Sequence, residues 1–330
     1  MTSPLPDFEA VRAAAARIAA EAVRTPLLTS AHLDAVTGCR VFIKPENLQR
    51  TGSFKFRGAY NTLATLTGTE RNRGVLAVSS GNHAQGVAEA ARFFGASATI
   101  LMPSDAPQAK IERTQRSGAE VILFDRVHDD REARALELRE KTGATFIHPF
   151  NDPRVIAGQG TAALEACQDM VAAGVRADHI LVCTGGGGLT AGTVLSAAAL
   201  MPQAVVHTCE PEGFDDYRRS LLSGRIEANE RLGGSVCDAI ITPSPGAIGF
   251  AINQPRLGEG LVVSDEEALR AVAFAFRELK LVVEPGGAVA LAGVMKNRDR
   301  FAGRTVLILL SGGNIDAAVL ERALRLPETR

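Results

Sequence analysis

The alternation of short apolar runs with longer helical patterns constrains this chain more than any other feature. Val41–Lys44, Gly74–Val78, Ala98–Met102, Glu120–Phe124, His179–Cys183, Val205–Cys209 and Thr305–Leu310 are rich in β-branched and apolar residues. They are largely apolar throughout, which fits strands buried on both faces, whereas a half-exposed strand alternates. Helical patterns fill the gaps, for example Asp7–Ala20, Asn82–Phe94, Asp129–Lys141, Thr161–Ala173, Asp265–Leu279 and Asp316–Leu326. The chain therefore reads as α/β, with parallel-rich twisted sheets flanked by helices. Its 330 residues suffice for one large or two medium domains. His148–Pro153 and the region before Gly74 are candidate boundaries. Two crossings there would make the middle segment an inserted domain.

Composition excludes several classes of function. Formal net charge is −1, which gives no electrostatic case for nucleic acid or an anionic membrane as partner. Trp is absent and there are only 2 Tyr, so base-stacking platforms are not expected. The 5 cysteines are scattered and never spaced C-x-x-C, which argues against a disulfide scaffold and a zinc site. The N-terminus shows no signal-peptide pattern, and no apolar run is long enough for a membrane span. A reducing cytoplasm is the expected compartment.

In open α/β sheets, ligands sit where strands end and helices begin. Four strand ends are unusual. After Val41–Lys44, Gly52 and Ser53 read as a turn and helix cap, with Lys55 in the first helical turn. The positive end of the helix dipole disfavours another cation, lowers the amine pKa and favours Schiff-base chemistry. An ordinary surface lysine is the competing reading. Ser79-Ser80-Gly81-Asn82-His83 follows a second strand, and free N–H groups at such a helix start bind anions such as carboxylates. A plain helix cap by Ser80 or Asn82 explains the same pattern.

The third end, Gly185–Gly188, is the sharpest. Four glycines between strand and helix let backbone wrap closely around a phosphate. At this glycine content such a run arises by chance roughly 0.03 times per chain, so a merely flexible loop is the weaker reading. The fourth end is Ser311-Gly312-Gly313-Asn314, where a hydroxyl can meet a ring nitrogen. Separately, Glu210 and Asp216 lie in an acidic loop that suits a hard cation or plain solvation. One GxGxxA match, Gly158 to Ala163, lacks a good preceding strand because Pro153 interrupts it. It reads as a decoy for dinucleotide binding, and a nicotinamide-dependent oxidoreductase is the disfavoured alternative.

Together the segments resemble the fold-type-II pyridoxal-phosphate (PLP) enzymes, in their threonine dehydratase and serine racemase branch. The resemblance spans nearly the whole chain. It rests on Ser53-Phe54-Lys55-Phe56-Arg57-Gly58-Ala59, Ser79 to His83, Val155 to Thr161, Gly185–Gly188, Glu284-Pro285 and Ser311 to Asn314. It implies a tryptophan synthase β-like, two-domain architecture. A large PLP-binding domain would comprise 1–70 and 150–330, and a small mobile one 71–149.

By the same resemblance Lys55 carries the cofactor as a Schiff base and takes the Cα proton. Phe54 packs on the ring, Asn82 bonds the phenolic oxygen, Gly185, Gly186, Gly187 and Gly188 hold the phosphate, and Ser311 faces the pyridine nitrogen. Ser79, Asn82 and His83 take the substrate carboxylate. The expected reaction is α,β-elimination from L-threonine or L-serine, giving a 2-oxo acid and ammonia.

Ser80 matches the acid/base of serine racemases and hydroxyaspartate dehydratases on the face opposite the lysine. Arg131, in Asp130-Arg131-Glu132, resembles an arginine that meets a substrate carboxylate in that subgroup. Threo-3-hydroxyaspartate ammonia-lyase and serine racemase are thus the alternatives. Glu210, the Phe214 carbonyl and Asp216 match the subgroup's activating divalent-cation site, for Mg²⁺ or a similar ion. A homodimer or homotetramer is implied.

Cys237-Asp238-Ala239 and Gly286-Gly287 depart from the usual pattern and bear on the pocket's shape. The chain ends soon after Ser311, so neither the regulatory domain of the biosynthetic threonine dehydratases nor isoleucine feedback through one is expected.

Overall fold

In a computed structural model of the chain, residues 5–106, 108–125, 128–129 and 131–327 are described. Among the described residues, ten strands form two sheets. They are β1 (Leu28–Thr29), β2 (Arg40–Pro45), β3 (Val75–Val78), β4 (Ala98–Pro103), β5 (Glu120–Phe124), β6 (Thr145–Phe146), β7 (His179–Cys183), β8 (Val205–Pro211), β9 (Leu261–Val263) and β10 (Thr305–Leu310).

The six-stranded sheet runs β1-β2-β10-β7-β8-β9, and the four-stranded sheet β5-β4-β3-β6. Only the β1–β2 pair is antiparallel among these strands. The register pairs Val306 with Val41, Leu307 with Ile180, and Cys183 with Cys209. Parallel pairing aligns the carboxyl ends of β2, β10 and β7, and their following loops open on one side.

Alternate residues of the central strands enter different cores. Val41, Ile43, Leu181, Ile308 and Leu310 pack with the helices Asp265–Arg277 and Pro285–Lys296. Phe42, Ile180, Val182, Leu307 and Leu309 pack with Pro153–Ala172 and Gly188–Leu200. Burial on both faces accounts for the continuous apolar runs in the sequence. The second sheet has its own core, in which Val75, Ala77 and Ile100 meet the helix Asn82–Phe93.

Pro153 does not interrupt an element. It opens the helix Pro153–Ala172, where its missing N–H costs nothing, and Asp152 caps that end by accepting from Arg154 N–H at 2.7 Å. The Gly158–Gly160 match therefore lies inside a helix and not at a strand-to-helix turn. These glycines serve packing instead. A Cβ at Gly158 would lie 2.6 Å from the Arg57 carbonyl oxygen, and one at Gly160 would lie 2.9 Å from Gly192 Cα. The helices Lys55–Thr65, Pro153–Ala172 and Gly188–Leu200 thus touch backbone to backbone.

A largely buried set of four charges supports the same region. Arg57 is fully buried and donates to both oxygens of Glu46, at 2.7 and 2.8 Å, and to Glu165 at 2.7 and 2.9 Å. Lys44, also fully buried, donates to Glu165 at 2.7 Å. Two cations and two carboxylates balance, which is what makes their burial tolerable.

Candidate active site

A cleft of about 900 Å³ lies between the carboxyl ends of the two sheets. Phe54, Lys55, Ser79, Ser80, Asn82, His83, Gly185–Gly188 and Ser311 all line it. The sequence motifs, far apart in the chain, therefore share one space.

Lys55 is the first residue of its helix. Ser53 is not the cap; it bridges to Gly312, and Phe54 occupies the cap position without a side-chain bond. The Lys55 amine donates to the Pro149 carbonyl at 2.8 Å and sits 5.0 Å from the centre of the Phe54 ring. Burial pulls its pKa down to about 8, and the Glu284 carboxyl opposes part of that shift. Desolvation is the main cause. A lysine so placed is neutral in useful amount near neutral pH, as Schiff-base formation requires.

The turn after β3 brings Ser79, Ser80 and Gly81 to the start of the helix Asn82–Phe93, with Gly81 as the cap. Ser79 Oγ accepts from Gly81 N–H at 3.2 Å. Asn82 donates to Glu284 Oε1 at 2.5 Å and accepts from Asn314 Nδ2 at 2.7 Å. His83 Nε2 lies 2.8 Å from the Ile147 carbonyl, while its Nδ1 has no hydrogen-bond partner. Burial, then the charge of Lys55, pushes its pKa down to about 3, which keeps it neutral.

The glycine loop follows β7, and its glycines lie tightly against their neighbours. A Cβ at Gly185 would lie 2.7 Å from the Ile240 carbonyl oxygen. At Gly186 it would lie 2.3 Å from the Phe150 ring, and at Gly188 2.9 Å from both Gln159 Oε1 and the Phe150 carbonyl oxygen. Gly187 has φ +83°, which favours glycine. The loop leads into the helix Gly188–Leu200, whose first N–H groups have no acceptor within the helix. Backbone donors at a helix start with no side chain in the way form an anion site. Across the cleft, buried Ser311 follows β10, and its carbonyl accepts from Phe54 N–H at 3.1 Å.

The side chain of Arg131 lies outside the described residues, although its backbone opens the helix Arg131–Thr142. Glu210 and Asp216 are buried away from this cleft. Glu210 accepts from Tyr217 N–H at 2.7 Å and Arg218 N–H at 2.9 Å. Asp216 accepts from Asn229 at 2.6 Å, while its Oδ2 has no hydrogen-bond partner. Burial raises both carboxyls, Asp216 to about 6, and Asp216 raises Glu210 further. Among the described residues no group of three or more His, Cys, Asp or Glu side chains is placed to hold a metal.

Sequence reasoning singled out no role for Glu284, Asn314, Lys110, Arg113 or Arg139. All line the cleft. Arg113 donates to Asn314 at 2.9 Å, and Lys110 lies 3.2 Å from Asp238. Both contacts cross from the helix Gln108–Arg116 beside the small sheet to loops of the large one. The signal for Glu284 was its place in the Glu284-Pro285 pair that helps carry the family resemblance, with no role attached.

The donor set fits pyridoxal phosphate. A desolvated amine is present for its aldehyde, an aromatic ring lies beside that amine, and a side-chain-free cradle at a helix start can take its phosphate. The comparisons agree. Residues 18–312 match the family model described as pyridoxal-phosphate dependent enzyme. An L-threonine ammonia-lyase of Thermotoga maritima is 43% identical over 91% of this chain and 74% of its own length. An L-threo-3-hydroxyaspartate ammonia-lyase of a Pseudomonas species is 43% identical over 94% of this chain and 96% of its own. The structure of maize serine racemase superposes with a TM-score of 0.91 at 33% identity, covering 97% of each chain. The α/β fold expected from the resemblance is the one these relatives have. On the match over most of its length, the chain belongs to the pyridoxal-phosphate dependent enzymes, in the group that holds the ammonia-lyases and serine racemases.

Proposed function

We propose that the chain is an ammonia-lyase that converts L-threonine or L-serine to a 2-oxo acid and ammonia by α,β-elimination. The observation that carries this reading is the desolvated Lys55 amine, placed in one cleft with the glycine cradle and the helix start at Gly81–Asn82. When bound, pyridoxal phosphate supplies an electron sink that acidifies the substrate Cα–H.

The chain's residues do the rest. Gly185–Gly188 hold the phosphate through backbone N–H groups, and Phe54 and Asn82 orient the ring. The turn at Ser79–Asn82 takes the substrate carboxylate. With cofactor and substrate in place, the Lys55 amine would receive the Cα proton. The β-hydroxyl departs as water, and hydrolysis of the released enamine gives the 2-oxo acid and ammonia. Ser311 is neutral and leaves the pyridine nitrogen largely unprotonated, which favours prompt elimination. The layer over 71–149 is the mobile part that closes on the substrate, and 1–70 with 150–330 holds the cofactor.

A second reading is L-threo-3-hydroxyaspartate ammonia-lyase. Lys110, Arg113 and Arg139 line the cleft and favour a second carboxylate on the substrate, and Arg131 is assigned to the same task. Ser80, which also lines the cleft, is the acid/base for any racemisation. The Phe214 carbonyl, Glu210 and Asp216 are assigned to a divalent cation. The unpartnered Asp216 Oδ2 and the raising of the Glu210 carboxyl by burial and then by Asp216 support that assignment.

The test is 2-oxo acid release from L- and D-threonine, L- and D-serine, and threo- and erythro-3-hydroxyaspartate, with Mg²⁺ or EDTA. Turnover of threonine and serine supports the first reading. Turnover of hydroxyaspartate alone replaces it with the second, and insensitivity to EDTA removes the cation.

A further inference from the structure

The glycine loop is shaped from behind by a pair of residues that never reach the cleft. Tyr217 and Asn253 are fully buried and are not among the cleft-lining residues. Tyr217 lies directly under Gly187. A Cβ there would stand 2.3 Å from Tyr217 Cε2 and 2.5 Å from its hydroxyl oxygen. Asn253 Nδ2 spends its two hydrogens on the same spot. One goes to the Tyr217 hydroxyl oxygen at 2.7 Å and the other to the Gly187 carbonyl at 3.3 Å. The helix Ala247–Asn253 presses on the loop again through Gly249, where a Cβ would lie 3.3 Å from the Gly187 oxygen.

Tyr217 is itself held from the other side. Its backbone N–H donates to Glu210 at 2.7 Å, and its ring centre lies 6.0 Å from that of Phe250. Gly187 is the loop's one left-handed residue, and its peptide orientation decides where the following N–H groups point. Bonding its carbonyl and blocking its Cα restrict the conformations open to the loop. A loop already in its binding shape loses little entropy when an anion arrives.

We propose that Tyr217 and Asn253 are positioning residues that hold Gly187 in its anion-receiving conformation and so set the affinity for the cofactor phosphate. This rests on the reading that Gly185–Gly188 bind that phosphate.

The test compares the affinity of the apo chain for pyridoxal phosphate with that for pyridoxal, which lacks the phosphate, by absorbance titration. Pyridoxal closes to an internal hemiacetal in water, which scales the ratio equally for every variant, so the change in the ratio from wild type to variant isolates the phosphate contribution. The wild type prefers pyridoxal phosphate by about a hundredfold. Tyr217→Phe keeps the ring, strands one Asn253 hydrogen and lowers the ratio about tenfold, with pyridoxal affinity unchanged. Asn253→Ala lowers it at least as far, and the double variant is no worse than the weaker single one. If Tyr217→Phe does not fold, Asn253→Ala carries the same comparison. A ratio unchanged in the variants, or equal losses for both ligands, overturns the proposal. A wild type that shows no preference overturns the phosphate reading and this proposal with it.

Discussion

Asn82 and Glu284, 202 residues apart in sequence, meet across the cleft at 2.5 Å, amide nitrogen to carboxyl oxygen. Asn82 belongs to a helix beside the small sheet and Glu284 to a helix start beside the large one. The carboxyl fits against Gly312, where a Cβ would lie 2.1 Å from Oε1. Burial lifts the Glu284 carboxyl to about 7, and the Asn82 hydrogen bond holds the rise in check.

That shift fixes the sign of a pH effect. The raised folded value means the folded chain keeps this proton where the unfolded chain, with its usual carboxylate near 4.5, has lost it. The associated stability is complete below about 4.5 and is lost as pH rises through about 7. It amounts to about 3 kcal/mol. Glu284→Gln flattens this part of the profile, which urea unfolding of the apo chain at several pH values will read. Parallel slopes in both proteins contradict it.

Lys55 makes a prediction of opposite sense. Only its neutral amine attacks the cofactor aldehyde. The rate of cofactor attachment to the apo chain therefore rises about tenfold per pH unit below the amine's pKa. It levels off above about 8. Stopped-flow absorbance gives the rate. Lys55→Ala abolishes attachment that survives borohydride reduction, as intact mass shows, and lowers kcat by at least about 10³-fold.

Gly186 and Gly81 form a contrasting pair. Both lie in turns of the site, yet a Cβ at Gly186 would collide with the Phe150 ring at 2.3 Å, whereas nothing lies within 4 Å at Gly81. Gly186→Ala should weaken cofactor binding at least about tenfold. Gly81→Ala should leave it within about twofold. Equilibrium titration of the two variants decides the matter, and similar losses in both would contradict it.

Glu165 answers two buried cations, Lys44 and Arg57. Glu165→Gln leaves them with Glu46 alone and should cost about 3–5 kcal/mol. Adding Lys44→Met restores the balance and should recover at least about half of that loss. Urea unfolding of the two variants measures this.

Much of this was legible in the sequence, for identifiable reasons. Glu120–Phe124, His179–Cys183 and Thr305–Leu310 were bounded correctly; the last two are apolar almost from end to end because they are buried on both faces, while the first is a half-exposed edge strand of β-branched and apolar residues. Leu28–Thr29, Thr145–Phe146 and Leu261–Val263 were missed, since two or three residues carry no period. The helix over Pro153–Ala172 was read as starting eight residues late, because proline was taken as a break and not as a first-turn residue. The glycine run and Lys55 stood out through local chemistry. Glu284, Asn314 and Arg113 did not, because their roles come from contacts that only the folded chain creates. Tyr217 was hidden for the same reason: nothing in its own segment points to Gly187.

The backbone contacts at Gly58, Gly158, Gly160 and Gly192 carry a consequence for how such a chain can diversify. They weld the amine-bearing helix to the helix behind the phosphate cradle, with no room for a methyl group. Heritable change there is nearly closed, because each substitution would force two helices apart at once. New substrate preferences must then arise on the opposite wall, among Lys110, Arg113, Ala135 and Arg139, where side chains meet the cleft and not another backbone. The architecture separates a half that descent must preserve from a half that it can rewrite.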